Sequence, residues 1–182
     1  MTMIDQRPAR RRTPAKLLFL FAFHATLAGS FLVSYLTGDE DTYGMHQFAG
    51  YTALAALAVR VVVALAAKAG PLCFPRPSPR ATVDWLARLL TGDVRARGQR
   101  SPLLAWMAVA LLAVVGAAAA TGAVADFVTP VEHLHEAIAE FSLVVVLAHI
   151  ALVFALHGLK NAAAIGAALR ARFTTRPEAS AP

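Results

Sequence analysis

The chain has 182 residues, of which 58% are hydrophobic and only 15% charged, with a mean hydropathy of +0.58. That apolar share exceeds the norm for a soluble domain and leaves few charges to cover a solvated surface, so an integral membrane protein is expected. The net charge of +6 does not indicate nucleic-acid binding, because the basic residues lie between long apolar runs, and the single Cys73 excludes an internal disulfide, a Cys-x-x-Cys-His haem attachment site and, without a second chain, a four-cysteine iron–sulfur cluster.

Residues 1–16 form a basic segment with Arg7, Arg10, Arg11, Arg12 and Lys16. The first apolar run, 17–36, is long enough to cross about 30 Å of hydrocarbon. A cleaved signal peptide is the competing reading, but the run is too long for an ordinary signal core and three more spans follow. After the acidic link Asp39, Glu40 and Asp41, a second span is expected over 46–67, interrupted by Arg60. The longest loop, about 68–101, carries four prolines and seven basic residues. Within it TVDWLARLL (82–90) reads as a short amphipathic helix. Either Trp85, Leu86, Leu89 and Leu90 face lipid, or the helix packs on the protein. Pro102 opens a third, alanine-rich span over 102–124. A link with Asp126, Pro130 and Glu132 leads to the fourth span, 137–159. The tail, 160–182, is basic and ends in a disordered-looking TTRPEASAP.

Of the 17 Lys and Arg, only Arg60 falls within a span, and the two short links carry acids alone. The positive-inside rule therefore predicts that both termini and the middle loop are cytoplasmic. Short links join antiparallel neighbours, so the expected fold is an all-α, four-helix up-down membrane bundle spanning 17–159.

Six histidines occur, none of them in the basic loops. His46 and His135 open the second and fourth spans on the acidic side. His149 follows His135 by 14 residues, which on a helix is about 21 Å of rise and a return to nearly the same face. His24 lies about 18 Å below the end of its span at Leu36. Depth thus pairs His46 with His135 and His24 with His149, each pair drawn from two helices. Histidine within a span is costly and usually partnered, and two facing imidazoles can sandwich a haem. With both axial positions filled, such an iron has no open position for substrate, which favours electron transfer. His133 reads as a loop residue, because it would point about 160° away from His149. His157 reads as interfacial or as a helix-packing residue.

Gly29, Gly50, Gly116 and Gly122 either leave room for a macrocycle or simply pack helices. Arg60 lies 14 residues after His46, on the same face. It either meets the propionates of the inner haem or snorkels to the interface. Glu136 reads as a polar neighbour of the outer histidine site or as a favourable charge at a helix N-terminus. Zinc and di-iron sites are not expected, since no carboxylates cluster with histidine deep in the other spans.

Four segments carry a family resemblance: FHATLAGSFLVSYLTG, HQFAGYTALAALAVR, Thr121-Gly122 and LHEAIAEFSLVVVLAHIALVFALHG. Together they resemble the bacterial cytochrome b561 family and the b-type cytochrome subunit of nickel–iron hydrogenases. The resemblance covers all four spans. It implies a bacterial inner-membrane, multi-pass di-haem cytochrome b, moving electrons between the quinone pool and a redox partner. By position it assigns His24 and His149 to the inner haem b and His46 and His135 to the outer one.

The leading expectation is therefore an electron-transfer protein of a respiratory chain rather than a stand-alone enzyme. Its expected partners are quinone or quinol, lipid, and a c-type cytochrome or other redox subunit, with a homodimer or a larger complex also open. A superoxide:quinone oxidoreductase, an activity of some relatives, is the alternative. The outer links argue against it, because they hold five acids and no cation to steer an anion inward. A haem-free membrane anchor is the third reading.

Overall fold

The computed structural model describes residues 14–174; the basic segment ahead of Pro14 and the chain from 175 onward lie outside the described residues. Those described are all-α: six α-helices joined by turns, with no strand among them. Four segments are helical, long and apolar enough to cross a membrane: Ala15–Leu36, Glu40–Ala66, Arg95–Ala125 and Thr129–Ala162. The chain is a multi-pass membrane protein.

The residues gather into two compact units. Among the described residues, one takes 14–74 together with Ala119–Glu132; the other takes Pro75–Ala118 and 133–174.

In the first unit α1 (Pro14–Leu36) and α2 (Tyr43–Ala66) pack on each other across a short link. The link contains a single 3₁₀ turn, Glu40–Thr42, so the two helices must run antiparallel. Thr37 Oγ1 donates to the Val33 carbonyl at 2.6 Å, covering one of the open carbonyls at the end of α1. On α2 the buried residues are Ala49, Ala53, Leu57, Arg60 and Ala64, three or four apart. That spacing makes one stripe along the helix, and its small side chains allow close approach. Beyond α2 the chain turns at Gly70, whose φ of +103° is open to glycine at no steric cost.

In the second unit α3 (Pro79–Leu90) begins at Ser78, whose side chain accepts from Ala81 N–H, with Pro79 in the first turn. Gly92, at φ +79°, turns the chain into α4 (Val94–Gly98), capped by Asp93. Ser101 Oγ accepts from Leu103 N–H and opens α5 (Leu103–Ala125). The last helix, α6 (Glu132–Thr174), has 43 residues.

Four sequence readings are decided or changed here. The middle loop is an ordered two-helix segment. Trp85 does not face lipid: it is 4% exposed, and its indole N–H donates to the Ala96 carbonyl at 3.1 Å. Burying the ring is favourable once the N–H has that partner. His133 is helical, because α6 starts at Glu132 directly after the 3₁₀ turn Thr129–Val131. The helix also runs well past 159. The NAAAIGAALRARF stretch is rich in good helix formers, and its one glycine does not end a helix by itself.

Candidate functional site

His24 lies in the middle of α1 on an exposed face. Its Nδ1 is 2.8 Å from the Leu20 carbonyl one turn back, and the Phe23 ring meets it edge-on with centroids 5.5 Å apart. His46 lies in the first turn of α2, half-buried, with Nδ1 2.7 Å from the Ser34 carbonyl of α1. His135 lies in the first turn of α6, half-buried, with Nδ1 3.0 Å from the Ala118 carbonyl of α5. His149 lies further along α6, half-buried, with its Nδ1 shielded from solvent.

These contacts settle a tautomer. A carbonyl oxygen only accepts, so Nδ1 carries the proton in His24, His46 and His135. In the neutral ring the lone pair is then on Nε2. An imidazole that donates one N–H to a backbone carbonyl is held in one orientation, and the lone pair opposite is the better donor to a metal. α6 is unbroken from His135 to His149, so their spacing of about 21 Å on one face holds as a helical spacing. The same applies to His46 and Arg60 on α2.

His46 has the richest surroundings. The Tyr43 ring lies nearly parallel to it, at 10° with centroids 6.0 Å apart. The Tyr43 hydroxyl donates to Asp126 Oδ1 at 3.0 Å, as does Gln47 Nε2 at 3.0 Å. The Tyr51 hydroxyl donates to Asp126 Oδ2 at 2.6 Å. Tyr43, Gln47 and Tyr51 are four residues apart, so successive turns of α2 present three donors to one carboxylate. The hydrogen bonds from Tyr51 and Gln47, more than the weaker one from Tyr43, hold the Asp126 carboxyl below its ordinary 3.8; the proximity of His46 adds to this and partial burial opposes it. Sequence reasoning passed over this cluster. The signal was the Tyr-x₃-Gln-x₃-Tyr stripe and a lone aspartate in an acidic link.

No family model matches this chain. Neither a curated protein nor a solved structure matches it either.

Arg60 is 7% exposed, and its Nη1 donates to the Leu72 carbonyl at 2.8 Å, with Nη2 on the Cys73 carbonyl at 3.4 Å. It thus secures the turn after α2, a role that neither sequence reading anticipated. Cys73 is half-buried and its thiol donates to the Ala67 carbonyl at 3.3 Å. Glu136 Oε2 is 3.9 Å from His133 Nδ1, and both side chains are exposed, so this acid meets His133 at the surface. His157 is exposed on α6.

A Cβ added to Gly29 or Gly116 would meet nothing within 4 Å, so neither glycine is required for close helix contact. At Gly50 it would stand 3.8 Å from Ser34 Oγ, an ordinary contact. Among the described residues no three of His, Cys, Asp or Glu converge as a metal site.

Proposed function

We propose that this chain is a di-haem b-type cytochrome of the cytochrome b561 kind, relaying single electrons between the quinone pool and a redox partner across a bacterial inner membrane. The observation that carries the reading is the common tautomer of His24, His46 and His135, each with Nδ1–H on a backbone carbonyl. Such neutral rings would hold haem iron through Nε2. His24 and His149 would hold the inner haem, and His46 and His135 the outer one. Bound haem b supplies a reversible one-electron couple.

The residues of the chain do the rest. The carbonyls of Leu20, Ser34 and Ala118 fix ring orientation. The Tyr43 ring flanks His46, and Asp126 holds Tyr43 in place. The 14-residue spacing on α6 sets the two centres at two depths. Arg60 is outside the ligand set; it would reach a propionate only through the N–H groups not directed at the turn after α2. The acidic links suit a basic partner, such as a c-type cytochrome, better than they suit steering of superoxide.

A reduced-minus-oxidised visible spectrum of the purified protein tests the reading. A b-type α-band is expected, with two haems per chain by pyridine haemochromogen assay. His135→Ala and His149→Ala should each lose one haem while the chain still folds. No α-band in the wild type leaves a haem-free anchor. Unchanged haem content in either variant refutes the ligand assignment.

A further inference from the structure

The two-helix segment between the second and third spans has a face with no role in the proposal above. On α3, Val83, Leu86 and Leu90 lie at i, i+3 and i+7, which puts them on one side of the helix. They are 64%, 41% and 89% exposed. Trp85 is on a different face, turned inward, with its N–H on the Ala96 carbonyl. α3 therefore has two apolar faces: one packs within its unit, and the other is exposed among the described residues.

The position of this second face is fixed by α5. Trp106, one turn into that membrane-length helix, donates its indole N–H to Thr82 Oγ1 at 3.2 Å. α3 is thus tied to the start of a membrane-length helix, at the level where water gives way to hydrocarbon. A tryptophan at that point is itself a common interfacial anchor.

Charge identifies the occupant. Residues 79–100 carry Arg80, Arg88, Arg95, Arg97 and Arg100 against Asp84 and Asp93. Asp93 accepts from Arg95 N–H at 2.8 Å as the cap of α4. Among the described residues none of the five arginines is ion-paired, and Arg80, Arg88 and Arg95 are exposed. A guanidinium presents a planar fork that matches phosphate oxygens, and its stem can lie along an apolar surface. An apolar face bordered on α3 by the exposed Arg80, at the mouth of a span and beside the arginines of α4, matches the headgroup and upper acyl region of an anionic bilayer.

We propose that α3 and α4 form a docking surface for anionic phospholipid. Val83, Leu86 and Leu90 enter the acyl region, and Arg80 and Arg95 bind headgroup phosphates. This inference stands independently of the haem assignment.

The test uses the full chain in nanodiscs of equal phosphatidylglycerol and phosphatidylcholine, with retained lipid identified by native mass spectrometry. Wild type should retain phosphatidylglycerol preferentially. One arginine near an anionic surface gives roughly a fivefold preference, so Arg80→Gln with Arg95→Gln should reduce the enrichment up to about 25-fold. Both side chains are exposed, so the variant folds. A second measurement places an environment-sensitive dye at Leu90→Cys in a Cys73→Ser background, which keeps a hydroxyl donor for Ala67. Blue-shifted emission quenched by spin-labelled lipid is expected. Equal retention of the two lipids by wild type, or unchanged retention in the arginine variant, overturns the proposal. So does a dye at 90 that reports water, or that is shielded from lipid by bound protein.

Discussion

Replacing Asp126 by alanine removes three hydrogen bonds at once: those from Tyr43, Gln47 and Tyr51. A buried hydrogen bond to a charged group contributes about 1.5–3 kcal/mol. Tyr43 and Tyr51 are exposed, so solvent screening leaves little from either, and the bond from the half-buried Gln47 dominates. The loss is therefore about 2 kcal/mol, or about 4–8 °C in Tm for a chain of this size. Asp126→Asn keeps one acceptor oxygen and should lose about half of that. The assay is built into the molecule. Cys73 is the only thiol and is half-buried, so a fluorogenic thiol reagent reports unfolding during a thermal ramp. In the Asp126→Ala background, Tyr51→Phe should cost nothing further, since its partner is gone. The pH dependence has a definite sign. The folded carboxyl titrates below its ordinary 3.8, so its stabilisation is complete above that value and is lost as pH falls through the folded pKa. Wild type and Asp126→Asn should therefore converge in acid. A Tm within about 1 °C of wild type for Asp126→Ala would refute the clamp, as would additive losses with Tyr51→Phe.

Arg60→Ala removes two donors from the carbonyls flanking Cys73 and should raise the alkylation rate of that thiol about tenfold at neutral pH, measured by mass spectrometry of the intact chain. Trp85→Phe keeps the buried ring but leaves the Ala96 carbonyl without its donor, costing about 1 kcal/mol, whereas Trp85→Ala should cost about 3–5 kcal/mol; both are read from the thermal ramp. A Cβ at Gly29 meets no neighbour, so Gly29→Ala should fold with unchanged Tm; if the open space beside Gly29 is macrocycle space, haem content measured on the same sample falls. Unchanged haem would assign Gly29 to a lipid-facing position.

Much of the architecture was legible because bilayer thickness and helical rise are fixed lengths. Apolar runs of about 20 residues, separated by short polar links, admit few solutions other than spanning helices. The structure places α1, α2 and α5 within a few residues of the runs read from the sequence, and departs mainly at α6, where no strong stop signal follows residue 159. The candidate histidines were legible as residue types that do not belong in hydrocarbon. Their tautomers were not. That the Nδ1–H of His46 meets Ser34, and that of His135 meets Ala118, depends on which backbone carbonyl another helix brings near, and no spacing along one helix encodes that.

The sequence alone determined that the chain is all-α, that four segments can cross a membrane, and that histidines recur at a 14-residue interval on one helix. These follow from local chemistry: hydropathy, periodicity and the cost of a buried polar group. Only tertiary structure decided which side chains work together. It turned Trp85 inward, assigned Arg60 to a turn, and brought Asp126 to a tyrosine stripe more than seventy residues away in the chain. A carboxylate has no intrinsic preference among donors at such separations. Its partners are fixed when the helices pack, and here packing set the donors of Asp126 around the same turn of α2 that presents His46.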